Sequence, residues 1–98
     1  MDYDLVIRPE ARLDLLDAFY WYQEQRAGLG LDFKLCVDDA LSKLQKHPSF
    51  YKKVHLDIRR IIIKRFPFGI FYIISNKQII ILAVLHARRD PENWKNRV

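Results

Sequence analysis

Basic and aromatic side chains are concentrated in the second half of the sequence, and these residue types bind phosphates and nucleobases. Arginine clamps phosphate or carboxylate groups with two parallel hydrogen bonds. An aromatic ring beside it can stack on an unpaired base. The candidate residues for binding a target or a nucleic acid are Arg59, Arg60, Arg65, Arg88, Arg89, Trp94 and Arg97.

The same set could also support RNA cleavage without a metal ion. That reaction needs a base for the 2′-hydroxyl, an acid for the leaving oxygen and cations for the charge on the phosphate. His86 is the candidate acid or base, because histidine exchanges protons near neutral pH, and Arg65 and Arg89 are the candidate cations. Simpler interpretations of two of these residues stay open. His86 could be a strand-end histidine that bonds the backbone, and Trp94 could be a lid packed over the sheet.

Other catalytic chemistries find no support in the sequence. The three histidines do not have the spacing of metal ligands, and no glycine-rich loop follows a strand. None of the serines lies in a nucleophile motif. Cys36 lies on an apolar helix face, where an inert buried thiol is the usual outcome. We therefore expect no metal and no cofactor.

Two helices are predicted to precede the basic half. The first begins at Pro9 and runs to about Gln25 or Arg26, because Gly28 and Gly30 interrupt the pattern. The second ends before Pro48. Its apolar stripe consists of Phe33, Val37, Ala40 and Leu44. The short link between them predicts an antiparallel hairpin.

The remaining segments have the patterns of strands. Residues 3–8 predict a first strand, before the helices. Residues 54–63 alternate with one change of parity, which we interpret as a bulge near Arg59 and Arg60. The apolar runs 70–74 and 79–85 predict a closing hairpin. Strands that are apolar on both faces are usually covered on both sides. The C-terminal segment or a partner must therefore cover the face opposite the helices.

Length and charge complete this description. The chain has 98 residues, of which 50% are hydrophobic, which predicts one domain over residues 1–98 with an α+β fold in the order β-α-α-β-β-β. Residues 1–49 hold six Lys/Arg against nine Asp/Glu, a net charge of −3, whereas residues 50–98 hold eleven against three, a net charge of +8. The basic half predicts an anionic partner such as nucleic acid, an acidic protein or a membrane surface. The alternative is that these charges only solvate the protein.

The compartment is predicted from what the sequence lacks. The N-terminus is acidic and has no signal-peptide pattern. The longest apolar run, Ile79 to Leu85, is far shorter than the roughly 18 residues that span a bilayer. The single cysteine cannot form an internal disulfide. We expect a cytoplasmic protein without membrane contact.

Several motifs in order carry a resemblance to a known group of proteins. They are Trp21-Tyr22, Gly28-Leu29-Gly30, Ile58-Arg59-Arg60, Arg65-Phe66-Pro67-Phe68, Ala83-Val84-Leu85-His86, Arg88-Arg89-Asp90-Pro91 and the segment from Trp94 to Arg97. Together with the element order, they resemble the RelE/ParE superfamily of type II toxin–antitoxin toxins. The resemblance implies a helix hairpin packed on a mainly antiparallel twisted sheet. It also implies a growth-inhibiting toxin that an acidic cognate antitoxin neutralises, as a toxin–antitoxin hetero-oligomer.

The resemblance implies one of two targets. RelE-like members cut mRNA on the ribosome with basic strand residues, a strand-end arginine and usually a C-terminal tyrosine. ParE-like members poison DNA gyrase. Arg88 or Arg89 can match the strand-end arginine, but Trp94 stands where the tyrosine would be, and Gly69 lies near a usual arginine position. We therefore favour a ParE-like gyrase inhibitor. The alternatives are a RelE-like mRNA endonuclease and an inactive or nucleic-acid-binding module with the toxin fold.

Overall fold

The fold consists of a helix hairpin packed on a sheet. The computed structural model describes residues 2–88 and 92–97. The elements are β1 (Asp4–Ile7), α1 (Pro9–Gln25), α2 (Leu29–Lys46), a 3-10 helix (Pro48–Phe50), β2 (Lys53–His55), β3 (Ile58–Ile62), β4 (Phe68–Ser75), β5 (Gln78–His86) and α3 (Glu92–Lys95). The strand order is β1-β5-β4-β3-β2; β1 is parallel to β5 and the other pairs are antiparallel. The predicted α+β fold is confirmed.

The helix boundaries follow from local chemistry. Pro9 opens α1 after an extended Arg8, since proline lacks the N–H that a first helical turn leaves unpaired. Gly28, at φ +89°, joins the two helices in the left-handed region. Gly30 was predicted to interrupt the helices but lies in the first turn of α2. A Cβ there would come within 2.7 Å of the Phe19 carbonyl oxygen, so glycine permits the close packing of α1 against α2.

The irregularity predicted near Arg59 and Arg60 lies opposite Arg59, in β2: Lys53 pairs with Arg59 and His55 with Ile58, so Val54 is the extra residue. The stretch is two strands, because a turn at Leu56 and Asp57 separates β2 from β3. Leu56 is exposed and has a φ of +49°, so this apolar residue concealed the turn in the sequence. Arg59 and Arg60 pair in regular register with β4. The apparent change of parity arises because Ile58 and Ile61, three residues apart in β3, pack on opposite faces of the sheet.

A bulge also occurs in β5. Phe71 of β4 pairs with Ala83 and Tyr72 pairs with Ile81, which leaves Leu82 without a counterpart. Leu82 and Ala83 consequently both pack on the sheet face opposite the helices, which we call the outer face. The alternation then resumes with Val84 facing the helices. An extra residue of this kind reverses the orientation of every later side chain in the strand.

Two apolar clusters lie on the two faces of the sheet. The helix-facing cluster includes Ala11, Phe33, Leu44, Ile61, Tyr72 and Val84. The outer-face cluster consists of Ile58, Phe71, Leu82, Ala83, Leu85 and Trp94. Trp94 belongs to α3, so the C-terminal segment covers part of the outer face, as the doubly apolar strands require.

Candidate functional site

Trp94 is a buried part of the outer face. Its ring stacks on Phe71 with centroids 4.6 Å apart and an interplanar angle of 21°, and the residue is only 6% exposed. Trp94 therefore acts as a lid over the sheet, which is one of the two roles considered from the sequence. In this arrangement the ring faces the sheet, so it could stack on an external base only if α3 moved away.

Arg60 is the basic candidate that lies beside this stack. Its guanidinium is 6.0 Å from the centroid of the Phe71 ring, within cation–π range. The aliphatic part of the side chain lies across Gly69, where a Cβ would come within 2.9 Å of the Arg60 Cδ. His55, with its ring 6.2 Å from that of Trp94, lies on the other strand of the β2–β3 hairpin. Arg60, His55 and Trp94 therefore form one basic and aromatic patch on the outer face.

Arg59 faces the opposite side of the sheet and has a structural role. Its Nη1 donates hydrogen bonds to the carbonyl oxygens of Ser49, at 3.1 Å, and Tyr51, at 2.6 Å. Tyr72 donates from its hydroxyl to the Pro48 carbonyl at 2.6 Å. Burial raises the pKa of Tyr72 to about 12, while the charge of Arg59 acts in the opposite direction. These bonds fix the segment 48–51 against the sheet.

Arg65 lies in the turn between β3 and β4. It has a φ of +69°, in the left-handed region that residues with a side chain rarely adopt. Its Nη2 is 3.8 Å from the Asp32 carboxylate at the start of α2, and its guanidinium lies 5.8 Å from the centroid of Phe66. The ion pair is largely exposed, so it adds little stability.

His86 and Arg88 line a different feature, a cleft of about 770 Å³ between α1 and the end of β5. The His86 ring packs on Phe68 at 5.7 Å. Its Nδ1 accepts a hydrogen bond from the Arg88 backbone N–H at 3.2 Å, which is the backbone-bonded interpretation of this histidine. Trp21 and Asp17 of α1 form the facing wall.

Arg97 is held in an ion pair. Its Nη1 lies 2.6 Å from Asp14 Oδ2, and the two side chains are only 24% and 12% exposed. The same guanidinium donates to the Leu82 carbonyl at 3.3 Å. Arg8 donates from Nη1 to the Arg97 carbonyl at 2.9 Å. These contacts tie the C-terminal segment to α1 and β5, and we call them the C-terminal latch.

The candidates from the sequence are thus distributed over several surfaces. Arg60 and Trp94 meet on the outer face, and His86 and Arg88 meet in the cleft. Arg59, Arg65 and Arg97 each have separate partners. Arg89, together with Asp90 and Pro91 of the same motif, lies outside the described residues. Of the nuclease candidates, His86 contacts Phe68 whereas Arg65 contacts Phe66 and Asp32.

Sequence reasoning missed Asp14 of α1, to which it assigned no role. Its carboxylate accepts the Val84 backbone N–H at 3.0 Å and pairs with Arg97. A signal was present, because Ala11 and Ala18 lie three residues before it and four after it, on the same side of a helix. Within residues 2–88 and 92–97, no group of three or more ligating side chains could hold a metal ion. No helix in these ranges is long and apolar enough to cross a membrane.

The arrangement of elements is shared with toxins of solved structure. A chain of the chromosomal ParDE TA system from P. aeruginosa superposes with a TM-score of 0.77 at 18% identity, covering 86% of this chain and 95% of that chain. A mutant of E. coli toxin RelE in the free state gives a TM-score of 0.58 at 13% identity, covering 90% of this chain and 86% of that chain. The fold is therefore that of the RelE/ParE superfamily of toxins.

The sequence assigns the chain to one family within this superfamily. Residues 5–91 match the family described as "ParE toxin of type II toxin-antitoxin system, parDE". The chain belongs to this toxin family, on the ParE side of the superfamily as its motifs predicted. No curated protein matches the sequence significantly.

Proposed function

We propose that this toxin arrests growth by binding DNA gyrase and that a cognate antitoxin neutralises it. The observation that carries the proposal is the family match over residues 5–91, because the resemblance to ParE-like members implies gyrase as the target. The ParDE system of the similar P. aeruginosa chain supports an antitoxin as the partner. The basic second half of the sequence fits an acidic antitoxin segment.

The side-chain arrangement supports a binding inhibitor over a nuclease. Metal-free RNA cleavage needs an acid or base and cations around one phosphate. His86 packs on the helix side of the sheet against Phe68, whereas Arg60 lies on the outer face. Arg65 is engaged with Asp32. We therefore assign Arg60 and the surrounding outer-face patch to target contact.

The proposal is tested with purified gyrase beside a ribosome programmed with mRNA. We expect the wild-type toxin to inhibit supercoiling and to leave the mRNA intact. Arg60→Ala should weaken gyrase inhibition at least tenfold, because it removes the cation of the outer-face patch. Arg12→Ala, a loss of the same charge on the exposed side of α1, is the matched control and should retain inhibition.

Two outcomes would contradict the proposal. Cleavage of mRNA that His86→Ala or Arg89→Ala abolishes would assign the chain to the RelE-like nucleases. Harmless expression of folded protein without its antitoxin, with neither assay affected, would indicate an inactive toxin fold. Circular dichroism on each variant separates loss of function from loss of fold.

A further inference from the structure

The first helix carries an apolar stripe that the core does not use. It consists of Leu13, Leu16 and Tyr20, whose i, i+3 and i+7 spacing places them on one side of α1. Leu16 and Tyr20 come two residues before and two residues after Ala18, which is buried toward the sheet, so they lie opposite it. The three side chains are between 46% and 61% exposed. α1 is therefore apolar on two opposite sides, and only one of them packs on the sheet.

The second helix continues this surface across the hairpin. Leu31 and Leu35 lie one turn apart on α2 and are 55% and 66% exposed. Gly30 packs closely on the Phe19 carbonyl oxygen, and this contact sets the following leucine beside the stripe of α1. We call the combined apolar surface the hairpin patch; it consists of Leu13, Leu16, Tyr20, Leu31 and Leu35.

A groove of about 260 Å³ opens between the two helices and shares Leu16 with the hairpin patch. Its apolar lining includes Leu15, Val37 and Leu41. In helix packing, side chains of one helix enter the grooves of the facing helices. This groove can therefore receive a large apolar side chain from a helix that packs on the patch.

The size of the hairpin patch fits one half of a stable interface. Its five large side chains, each about half exposed, present roughly 500 Å² of apolar surface, at the upper end of what monomeric proteins expose. A stable interface takes about 800 Å² from each partner, with an apolar centre and a polar rim. The polar side chains around the patch supply such a rim.

The charge of the hairpin indicates which partner fits. Residues 9–46 hold five Lys/Arg against seven Asp/Glu, a net charge of −2. An acidic antitoxin segment would meet like charge here, whereas the second half of the chain, at +8, attracts it. The hairpin patch therefore calls for a partner other than an acidic segment.

The charged residues along the groove are complementary to themselves. Arg12 lines the groove from α1, and Lys34 and Asp38 line it from α2, where they form an ion pair at 3.0 Å. A two-fold axis along the groove would set α1 of one copy against α2 of the other. Arg12 of each copy then lies beside Asp38 of the other copy. Such reciprocal contacts are what a two-fold interface between identical chains requires.

We propose that the hairpin patch is the interface of a toxin homodimer, in which the α1–α2 hairpins of two copies pack into a four-helix arrangement about a two-fold axis. The leucines of the patch form its centre and the charged groups of the groove form its rim. The outer face with Arg60 lies on the other side of the sheet, so both copies keep their target surface free. The inference does not depend on gyrase being the target.

The first test measures association of the full chain by sedimentation equilibrium between 1 and 200 µM. We expect the mass to approach twice the monomer mass of 11.8 kDa as the concentration rises. Leu35→Glu should raise the dissociation constant of the dimer at least tenfold, because it places a carboxylate in the apolar centre. Leu31→Glu should act in the same way and guards against a folding defect in one variant, and circular dichroism verifies the fold of both.

A matched control separates the patch from general effects of added charge. Leu56→Glu makes the same change at a leucine that is 73% exposed, in the turn between β2 and β3. It should leave the dissociation constant within twofold of the wild-type value. A wild-type chain that stays monomeric at 200 µM, or equal effects of Leu35→Glu and Leu56→Glu, would refute the proposal.

A second test locates the interface. In a dimer mixed from ¹³C-methyl-labelled and unlabelled chains, we expect intermolecular NOEs from the methyl groups of Leu31 and Leu35 to α1 of the other copy. Intermolecular NOEs from Ile62, which is half-exposed on the outer face, would place the interface on the wrong side of the sheet and overturn the assignment.

The other possible occupant is a helix from a different protein. The probe is a blocked 18-residue amphipathic peptide of leucine and lysine, titrated into ¹⁵N-labelled chain. We expect any binding at Leu31 and Leu35 to compete with the dimer, because both use the same surface. A chain that stays monomeric without the peptide and binds it saturably at these residues would assign the patch to a foreign helix and overturn the homodimer.

Discussion

Adjacent arginines with the same chemistry have different roles in this toxin. Arg59 points to the helix side and bonds the carbonyls of Ser49 and Tyr51. Arg60 points to the outer face and lies over Phe71. Alternation along a strand separates their surroundings completely. Substitution of Arg59 is therefore expected to act through the fold, and substitution of Arg60 through target contact.

Tyr72 offers a test of the interior at the scale of one atom. Tyr72→Phe removes the hydroxyl that bonds the Pro48 carbonyl at 2.6 Å. Because a buried carbonyl then loses its partner, we expect the free energy of unfolding to fall by about 1–2 kcal/mol. Guanidinium denaturation at pH 7 measures this change. Tyr20→Phe is the control, since Tyr20 is 60% exposed, and an equal loss there would contradict the explanation.

The same residue gives a pH dependence with a defined sign. Burial raises the pKa of Tyr72 to about 12 from its ordinary value of 10.0. The unfolded chain therefore releases this proton near pH 10, while the folded chain retains it to a higher pH. Wild-type stability relative to Tyr72→Phe is constant below pH 10 and falls as the pH rises from 10 to 12. A difference that stays constant over this interval would show that the hydroxyl is not buried.

At the scale of elements, the two long helices cover only one face of the sheet, and α3 covers part of the other face. Trp94 supplies the apolar contact and the C-terminal latch supplies the polar one. Trp94 as a lid was one of the interpretations left open by the sequence, whereas the latch was not predicted. The sequence contains a tryptophan and an arginine three residues apart, and nothing local distinguishes a target-binding pair from a structural one. The distinction depends on the strand faces against which they pack.

The two tryptophans provide a matched pair for testing this cover. Trp94→Ala removes a ring that is 6% exposed, and we expect the free energy of unfolding to fall by about 3 kcal/mol. Trp21→Ala removes a ring that is 58% exposed, and we expect the free energy of unfolding to fall by less than about 1 kcal/mol. Chemical denaturation of both variants measures the difference. Similar losses would mean that α3 is not a stable part of the outer-face cluster.

At the scale of the whole molecule, charge is divided between the two layers. The N-terminal half, with its helix hairpin, carries a net charge of −3, and the C-terminal half, with most of the sheet, carries +8. We therefore expect an acidic antitoxin to be attracted to one side of the toxin. Electrostatic attraction of this kind mainly raises the rate of association.

The rate of antitoxin binding should accordingly depend on salt. Raising NaCl from 50 to 300 mM is expected to lower the association rate constant at least threefold in stopped-flow measurements, since the ions screen the long-range attraction. The dissociation rate constant should change less, because contacts within the complex are closer and partly buried. An association rate constant that ignores salt would argue against an acidic partner on the basic half.

Much of the fold could be predicted from the sequence, because the signals are local. Pro9, Gly28 and Pro48 mark the helix limits, and the apolar runs at 70–74 and 79–85 mark the two long strands. The β2–β3 hairpin was missed, since its turn contains Leu56 at a positive φ where a glycine or asparagine would have been recognisable.

The sequence by itself determined the element types, the toxin family and the division of charge. Only the tertiary structure decided which basic residues share a surface. The extra residues Val54 and Leu82 each change strand parity, and one such change reverses every following side chain. Only tertiary packing brings Asp14 and Arg97, 83 positions apart in sequence, together on the edge of β5. That contact depends on how far β1 extends along β5, which no local pattern encodes.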